Sequence, residues 1–341
     1  MKNLVLGYFG YRTNQLDGQT VKTRDLFRLL KEHEGNAIDF FDTQEFQYKK
    51  TSVFCLFKKL VACRVLFYLP AHNNLKYIFP VIFVLSKVFG YRILYFVVGG
   101  WLVEYLSTKP LHRWMLKRID WIFTETLLMR DSLEKRYGFA NVVQFPNFRF
   151  ISFVPREYHE NEKLKLVFLA RINKMKGLDV VFYLADYIMK NQFDDRVSID
   201  FYGPIYQPDR GYFFDELEKY DFLAYKGELQ PDRINETIEK YDVMLLPTHY
   251  YTEGLPGSVV DAYMSGIPII VSKWKHAGEF VKDGETGFII PFENGEKELC
   301  KKIEFLLQNP KLLSEMKRNA YRESFRFTSG NAWNIILQHM V

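Results

Sequence analysis

Cysteine is scarce in this chain. Cys55, Cys63 and Cys300 are the only three in 341 residues, and no two form a C-x-x-C pair. An odd, scattered set excludes a disulfide framework and a zinc site of the usual spacing. Buried thiols in a reducing compartment are the expectation. Also missing is the dinucleotide fingerprint G-x-G-x-x-G: Gly7 and Gly10 are spaced wrongly, and Gly18 lies too far on. The longest stretch without a charge, 327–341, has 15 positions, short of the roughly 18 needed to cross a bilayer. The opening "MKNLVLGYFGYR" is too soon charged for a secretory signal and has no small-residue cleavage site. A soluble, cytoplasmic chain is expected.

Another absence is local. Between Phe46 and Val103 there is no acidic residue, while Lys58, Lys59, Arg64, Lys76, Lys87 and Arg92 alternate with Phe, Leu, Ile, Val and Tyr. Residues 1–150 carry 22 Lys+Arg against 12 Asp+Glu, and residues 151–341 carry 24 against 29. The basic first half suits anionic lipid headgroups or a phosphorylated acceptor. Solvated faces of core helices are the plainer explanation of the same pattern. No nucleic-acid motif accompanies it, so no nucleic-acid partner is expected.

What is present is apolar and aromatic. At 48% hydrophobic and 17% aromatic, the chain is globular and not disordered, and its length suits two domains. Strand-like runs fall near 2–8, 37–41, 64–69, 92–98, 120–123 and 141–144. Helical stretches lie between them at 19–33, 53–62, 75–89, 107–118 and 126–137. A second series of strands follows near 165–170, 197–202, 222–226, 242–246, 267–271 and 287–290. Near-continuous apolar strands spaced by helices predict parallel sheets covered on both faces. Two such series predict two doubly wound α/β domains. Pro146 and Pro155 place the break within 145–157. A last helix near 328–340 has no strand after it and is expected to pack back on the first domain.

Ligands of doubly wound sheets sit at the carboxyl ends of strands, so the strand-to-helix loops carry the information. In residues 7–26, Gly18 precedes a helix whose first N–H groups could receive an anion. In "LARINKMKGLDVV", Arg171 and Lys176 leave a strand end together and Gly177 opens a helix, a cradle suited to a diphosphate. The loops with Gly203 and Gly227 follow later strands and suit a flat base. "THYYTEGLPGSVVDAYMSGIPIIVS" places Glu253 just before a helix of 256–265 and Asp261 inside it. Eight residues span about 12 Å of helix axis, too far for a shared metal or a tight acid/base dyad. Acids that far apart suit hydroxyls at the two ends of an elongated polyol, with a phosphate against the turn of Gly254, Leu255, Pro256 and Gly257 between them, on the N–H groups of its three non-proline residues. The structural alternative makes Glu253 a helix cap and Asp261 a solvated residue.

Taken together, R-x4-K-G at Arg171 and Lys176, the run DVMLLP-x5-EGLPGSVVDA-x2-SG-x-PIIVS, and EFVKDGETGFII resemble the donor half of retaining glycosyltransferases of family 4, with the GT-B fold. The likeness is dense over 123–291, and its nearest flavour is the bacterial capsule and surface-polysaccharide enzymes. The resemblance implies two Rossmann-like domains facing a cleft. Residues 1–150, with the C-terminal helix of 326–341 crossing back, would bind the acceptor, and 151–325 the nucleotide-sugar. It implies that Arg171 and Lys176 bind the donor diphosphate, Glu253 the transferred sugar and Asp261 the ribose. Gly18 would line the phosphates from the other domain. A UDP- or GDP-linked donor is implied, with no cofactor and no metal, and no Asp-x-Asp triplet occurs in the chain. Two departures stand out. Asp261 replaces the usual Glu and is one methylene shorter. The loop where the family often has a cleft histidine reads "YFVVGGWLVEYL", with Gly99 and Gly100; His72 is the nearest alternative on the acceptor side.

The implied reaction is sugar transfer to a glycan, with a lipid-linked acceptor expected at the inner membrane face. A nucleotide-sugar epimerase or phosphorylase could use the same frame, and so could a non-catalytic sugar-nucleotide binding protein.

Overall fold

A computed structural model describes residues 2–15, 17–150 and 163–340. The chain separates into two compact units, one of residues 1–148 with 329–341, the other of residues 149–328. The division falls inside the proline-marked interval of 145–157.

The first unit begins with β1 (Lys2–Gly7), α1 (Gly18–Glu34), β2 (Ile38–Asp42), α2 (Glu45–Tyr48) and α3 (Ser52–Val61). It continues with β3 (Cys63–Leu69), α4 (His72–Tyr77), α5 (Phe79–Phe89), β4 (Arg92–Phe96), α6 (Leu102–Ser107) and α7 (Pro110–Leu116). Then come β5 (Trp121–Thr124), α8 (Leu127–Tyr137) and β6 (Val142–Gln144). The six strands are parallel in the order β2-β1-β3-β4-β5-β6. One expected helix is split. Pro80, in the first turn of α5, interrupts the stretch 75–89, because proline offers no N–H to the preceding turn. The expected 107–118 is realised as α7, opened by Pro110, while α6 before it was not expected. The expectation of three buried thiols also needs correcting. Cys63 and Cys300 are buried, but Cys55 is exposed on the outward face of α3.

The second unit runs β7 (Leu164–Leu169), α9 (Leu178–Lys190), β8 (Val197–Tyr202), α10 (Arg210–Leu217) and β9 (Leu223–Tyr225). After these come α11 (Ile234–Ile238), β10 (Val243–Leu246), α12 (Gly257–Met264), β11 (Ile269–Ser272), α13 (Ala277–Phe280) and β12 (Gly287–Ile290). Helices α14 (Glu296–Gln308) and α15 (Pro310–Ser324) follow, and α16 (Ser329–Met340) belongs to the first unit. There Arg92 donates to the carbonyls of Met340 and His339, and His33 stacks on Trp333.

The second sheet is also parallel, in the order β12-β11-β10-β7-β8-β9. Its strands are apolar on both faces because each face carries its own core. Leu166, Phe168, Val243 and Leu245 pack on one side. The alternate residues Val167, Met244 and Leu246 pack on the other. This is the period-2 signature of a strand covered twice. Strand order reverses direction between β7 and β10, and that point is where an open α/β sheet opens a crevice at its carboxyl edge.

Candidate functional site

The loops after β7 and β10 flank this reversal. After β7, the Asn173 side chain accepts from the Lys176 N–H and closes a single turn of Lys174–Lys176. Gly177 then takes φ +87°, and a Cβ there would lie 2.0 Å from the Pro247 carbonyl oxygen. Only glycine lets the two loops approach this closely. Two hydrogen bonds fasten them: His249 N–H to the Met175 carbonyl at 2.9 Å, and Thr248 Oγ1 to the same oxygen at 3.3 Å.

This packing brings Lys176 onto Glu253. Lys176 Nζ donates to Oε1 at 2.7 Å and Oε2 at 2.8 Å, and lies 5.0 Å from the centre of the Tyr250 ring. Thr248 Oγ1 donates to Oε2 at 3.2 Å. The two charged side chains are 17% and 18% exposed, so the pair is mostly desolvated and still reachable. Glu253 is therefore held by a lysine and a threonine, not by helix N–H groups. It does not cap the helix either: Pro256 is the N-cap residue, without a side-chain cap bond.

The helix α12 is shorter than the expected 256–265, and Glu253 lies in the loop four residues before it. The acids thus do not lie along one helix axis, and the 12 Å spacing does not apply. Ser258 Oγ donates to the Leu169 carbonyl at 2.6 Å, which ties the first turn of α12 to the end of β7, two residues before Arg171. Arg171 is exposed there, while Gly254, Leu255 and Pro256 are buried. Trp274 Nε1 supports the loop through the Gly254 carbonyl at 3.3 Å.

Asp261 is buried, 5% exposed, and both its oxygens accept from Arg149, at 2.7 and 3.2 Å. A solvated helix residue is excluded. Sequence motifs had not singled out Arg149, which lies 112 residues away in the chain. Gly203 and Gly227 are joined by a Gly203 N–H to Gly227 carbonyl bond of 2.9 Å, so the loops after β8 and β9 lie side by side. A Cβ at Gly203, φ +134°, would sit 2.0 Å from the Ala170 oxygen, beside Arg171.

In the first unit the helix after Gly18 differs from expectation. Asp17 caps α1, its carboxylate accepting from Gln19 and Thr20 N–H, so those N–H groups are already engaged. Asp17 is the residue immediately before the glycine, and a capping box with Thr20 was its signal. His72 is exposed and packs edge-on against Trp101 and Tyr105, with centroids 4.9 and 5.0 Å apart. It is therefore brought to the Gly99–Gly100 loop, where Gly99 has φ +80°. A buried pair, Lys22 to Glu125 at 2.6 Å, is tied to the start of that loop segment: Lys22 also donates to the Val97 carbonyl, two residues before Gly99, at 2.8 Å. Burial pushes the Lys22 ammonium below its ordinary range, and Glu125 opposes this. Among the described residues, no group of three or more His, Cys, Asp or Glu is arranged to hold a metal ion.

Comparison with known proteins gives this geometry a setting. The family model of glycosyl transferases group 1 matches residues 152–323, half of the chain. An α-1,3-N-acetylgalactosaminyltransferase of Campylobacter jejuni, named for its N,N'-diacetylbacillosaminyl-diphospho-undecaprenol substrate, is 31% identical over 105 residues. That match covers 31% of this chain and 26% of the relative. The capsular polysaccharide biosynthesis glycosyltransferase CapM of Staphylococcus aureus is 24% identical over 205 residues, covering 58% of this chain and 52% of the relative. The chain thus spans about half, or less, of the length of these curated relatives. Among solved structures, Anabaena HepE in complex with UDP superposes with a TM-score of 0.76 at 14% identity, over 100% of this chain and 99% of that one. With two doubly wound units and a charged loop pair at the sheet reversal of the second, the chain belongs to the glycosyl transferases group 1, family 4, of GT-B fold.

Proposed function

We propose that the chain is a retaining, metal-independent glycosyltransferase that moves a sugar from a nucleoside-diphosphate sugar to a glycan of surface polysaccharide. The observation that carries this reading is the Lys176–Glu253 pair, held at 2.7 Å at the sheet reversal next to the head of α12. A donor's diphosphate competes for the Lys176 ammonium and draws in Arg171, leaving Glu253, still bound by Thr248, to accept from sugar hydroxyls. Asp261 takes the pentose end, and the loops of Gly203 and Gly227 the base. HepE binds UDP, which favours a UDP-linked donor here.

In the transfer, the bond between the anomeric carbon and the diphosphate oxygen breaks, and the acceptor oxygen bonds to the same face of that carbon. The acceptor's proton passes to the departing diphosphate oxygen. Negative charge grows on the leaving group, so fixed cations and helix N–H groups aimed at it lower the barrier. Incubating the protein with a panel of UDP-, GDP- and ADP-sugars tests this. Donor consumed only with a glycan acceptor, giving an α-linked product from an α-linked donor, is expected. Donor converted without acceptor would instead show an epimerase.

The acceptor is proposed to be lipid-linked, met at the inner membrane face. The Campylobacter relative is named for a diphospho-undecaprenol substrate. The acid-free tract also supports it. In α3, Val53, Phe54 and Phe57 are exposed; in α5, Val81, Val84 and Val88 are. Phe57 and Phe89 touch, at 6.0 Å between centroids, making one apolar surface of the two helices. Lys58 and Lys87 are exposed on it. Among the described residues no helix is long and apolar enough to cross a membrane, so contact would be interfacial.

A further inference from the structure

Another ion pair of the second unit lies at the head of α12 and involves a residue with no place in the family motifs. Arg149 grips Asp261 by two parallel bonds, Nε to Oδ1 and Nη2 to Oδ2, the planar fork that lysine cannot reproduce. The guanidinium also rests against the first residue of the helix. A Cβ on Gly257 would lie 2.8 Å from Arg149 Nη2 and 3.9 Å from Asp261 Oδ2. Any side chain at 257 would therefore push the arginine away. Its backbone is pinned as well, with the Arg149 N–H on the Phe327 carbonyl at 2.9 Å.

This placement is unusual electrostatically. The amino end of a helix repels a cation, by about 0.3–1 kcal/mol at an exposed site. Asp261, one turn further along the same helix, offsets that repulsion and fixes the fork. The shorter acid also has a physical sense: with Asp in place of Glu, the carboxylate stops one methylene earlier, and a guanidinium fills the space between it and the helix head.

We propose that Arg149 is a donor-binding residue whose guanidinium contacts the phosphate nearest the pentose, with Asp261 as the positioning residue that holds it there. This rests on the donor site described under the proposed function, and adds a third cation to Arg171 and Lys176. The side chain is 17% exposed, enough to meet a ligand without further opening.

Calorimetry on the purified full chain tests it, with UDP, GDP and ADP as probes, then the nucleoside of the tightest one and inorganic pyrophosphate. Arg149→Gln is expected to weaken the nucleoside diphosphate and pyrophosphate tenfold or more and to leave nucleoside binding unchanged. Because that variant strands a buried carboxylate, the double variant Arg149→Gln/Asp261→Asn is measured beside it. The double variant is expected to melt near the wild-type temperature and to stay weak toward pyrophosphate, which has no pentose for Asp261 to hold. If it binds pyrophosphate like wild type while Lys176→Ala does not, Arg149 is only a structural clamp and the donor site stands. Equal loss for nucleoside and diphosphate would move the contact to the pentose and overturn the proposal. If the wild-type chain binds none of the three nucleotides, the donor site and this proposal fall together.

Discussion

Lys176 and Glu253 neutralise one another in the free chain, so removing either leaves a partly desolvated charge without its partner. Lys176→Ala is expected to cut turnover about a hundredfold, the scale of one lost donor to developing charge, roughly 3 kcal/mol. The melting temperature should change by only a few degrees, since the pair is partly exposed; steady-state kinetics and a thermal melt decide. Gly177→Ala should do the reverse, losing stability by about 1–3 kcal/mol or more through the strained φ and the Pro247 contact. Thiol chemistry offers an independent check of burial. Burial pushes the Cys63 and Cys300 thiols up to about 12. A thiol reagent at pH 8 should therefore modify Cys55 quickly and the other two only on unfolding. At this scale the positions of Arg171, Lys176 and Glu253 in strand-end loops were legible, because they follow near-continuous apolar strands. Arg149 was not, since nothing local links it to an acid 112 residues away. The burial of Cys55 was misjudged for a related reason: α3 is apolar around most of its circumference, which hides the face that meets solvent.

Among the elements, the strands were the most legible, because burial on both faces leaves near-continuous apolar runs. Helix limits suffered where proline split one amphipathic stretch into two. The sequence pattern could not show which apolar residues of α3 and α5 face outward, since core and exposed residues are equally hydrophobic there. Exposed phenylalanines make a prediction that charge alone does not. Phe54→Ser/Phe57→Ser should reduce sedimentation with anionic vesicles several-fold even in high salt, whereas the lysine contribution should fade as salt is raised. Unchanged sedimentation would remove these helices from the membrane contact. Helix α15 supplies a pH test. Burial alone would raise the Glu323 carboxyl, but hydrogen bonds from Lys282, at 2.8 Å, and Arg326 outweigh it and hold it below its ordinary 4.5. A depressed carboxylate adds stability that is present above its unfolded value and lost as pH falls through the folded one. Glu323→Gln should thus lower the melting temperature at pH 7 and flatten its decline below about 4.5.

For the whole molecule, two series of parallel strands, the break after Pro146 and the return of α16 to the first unit all followed from pattern and punctuation. The strand orders did not, because period and apolarity say nothing of which strands are neighbours. Yet the order in the second unit is what places β10 beside β7 and so joins loops 170–177 and 247–256 into one charged site. That junction is the physical basis for reading a nucleotide-sugar site in this chain. A crystal structure with a bound nucleoside-diphosphate sugar tests it most directly. The diphosphate is expected within hydrogen-bonding reach of Arg171, Lys176 and the N–H groups of Gly254, Leu255 and Gly257, with the Lys176–Glu253 contact loosened. A diphosphate bound anywhere else, with that ion pair intact, would contradict it.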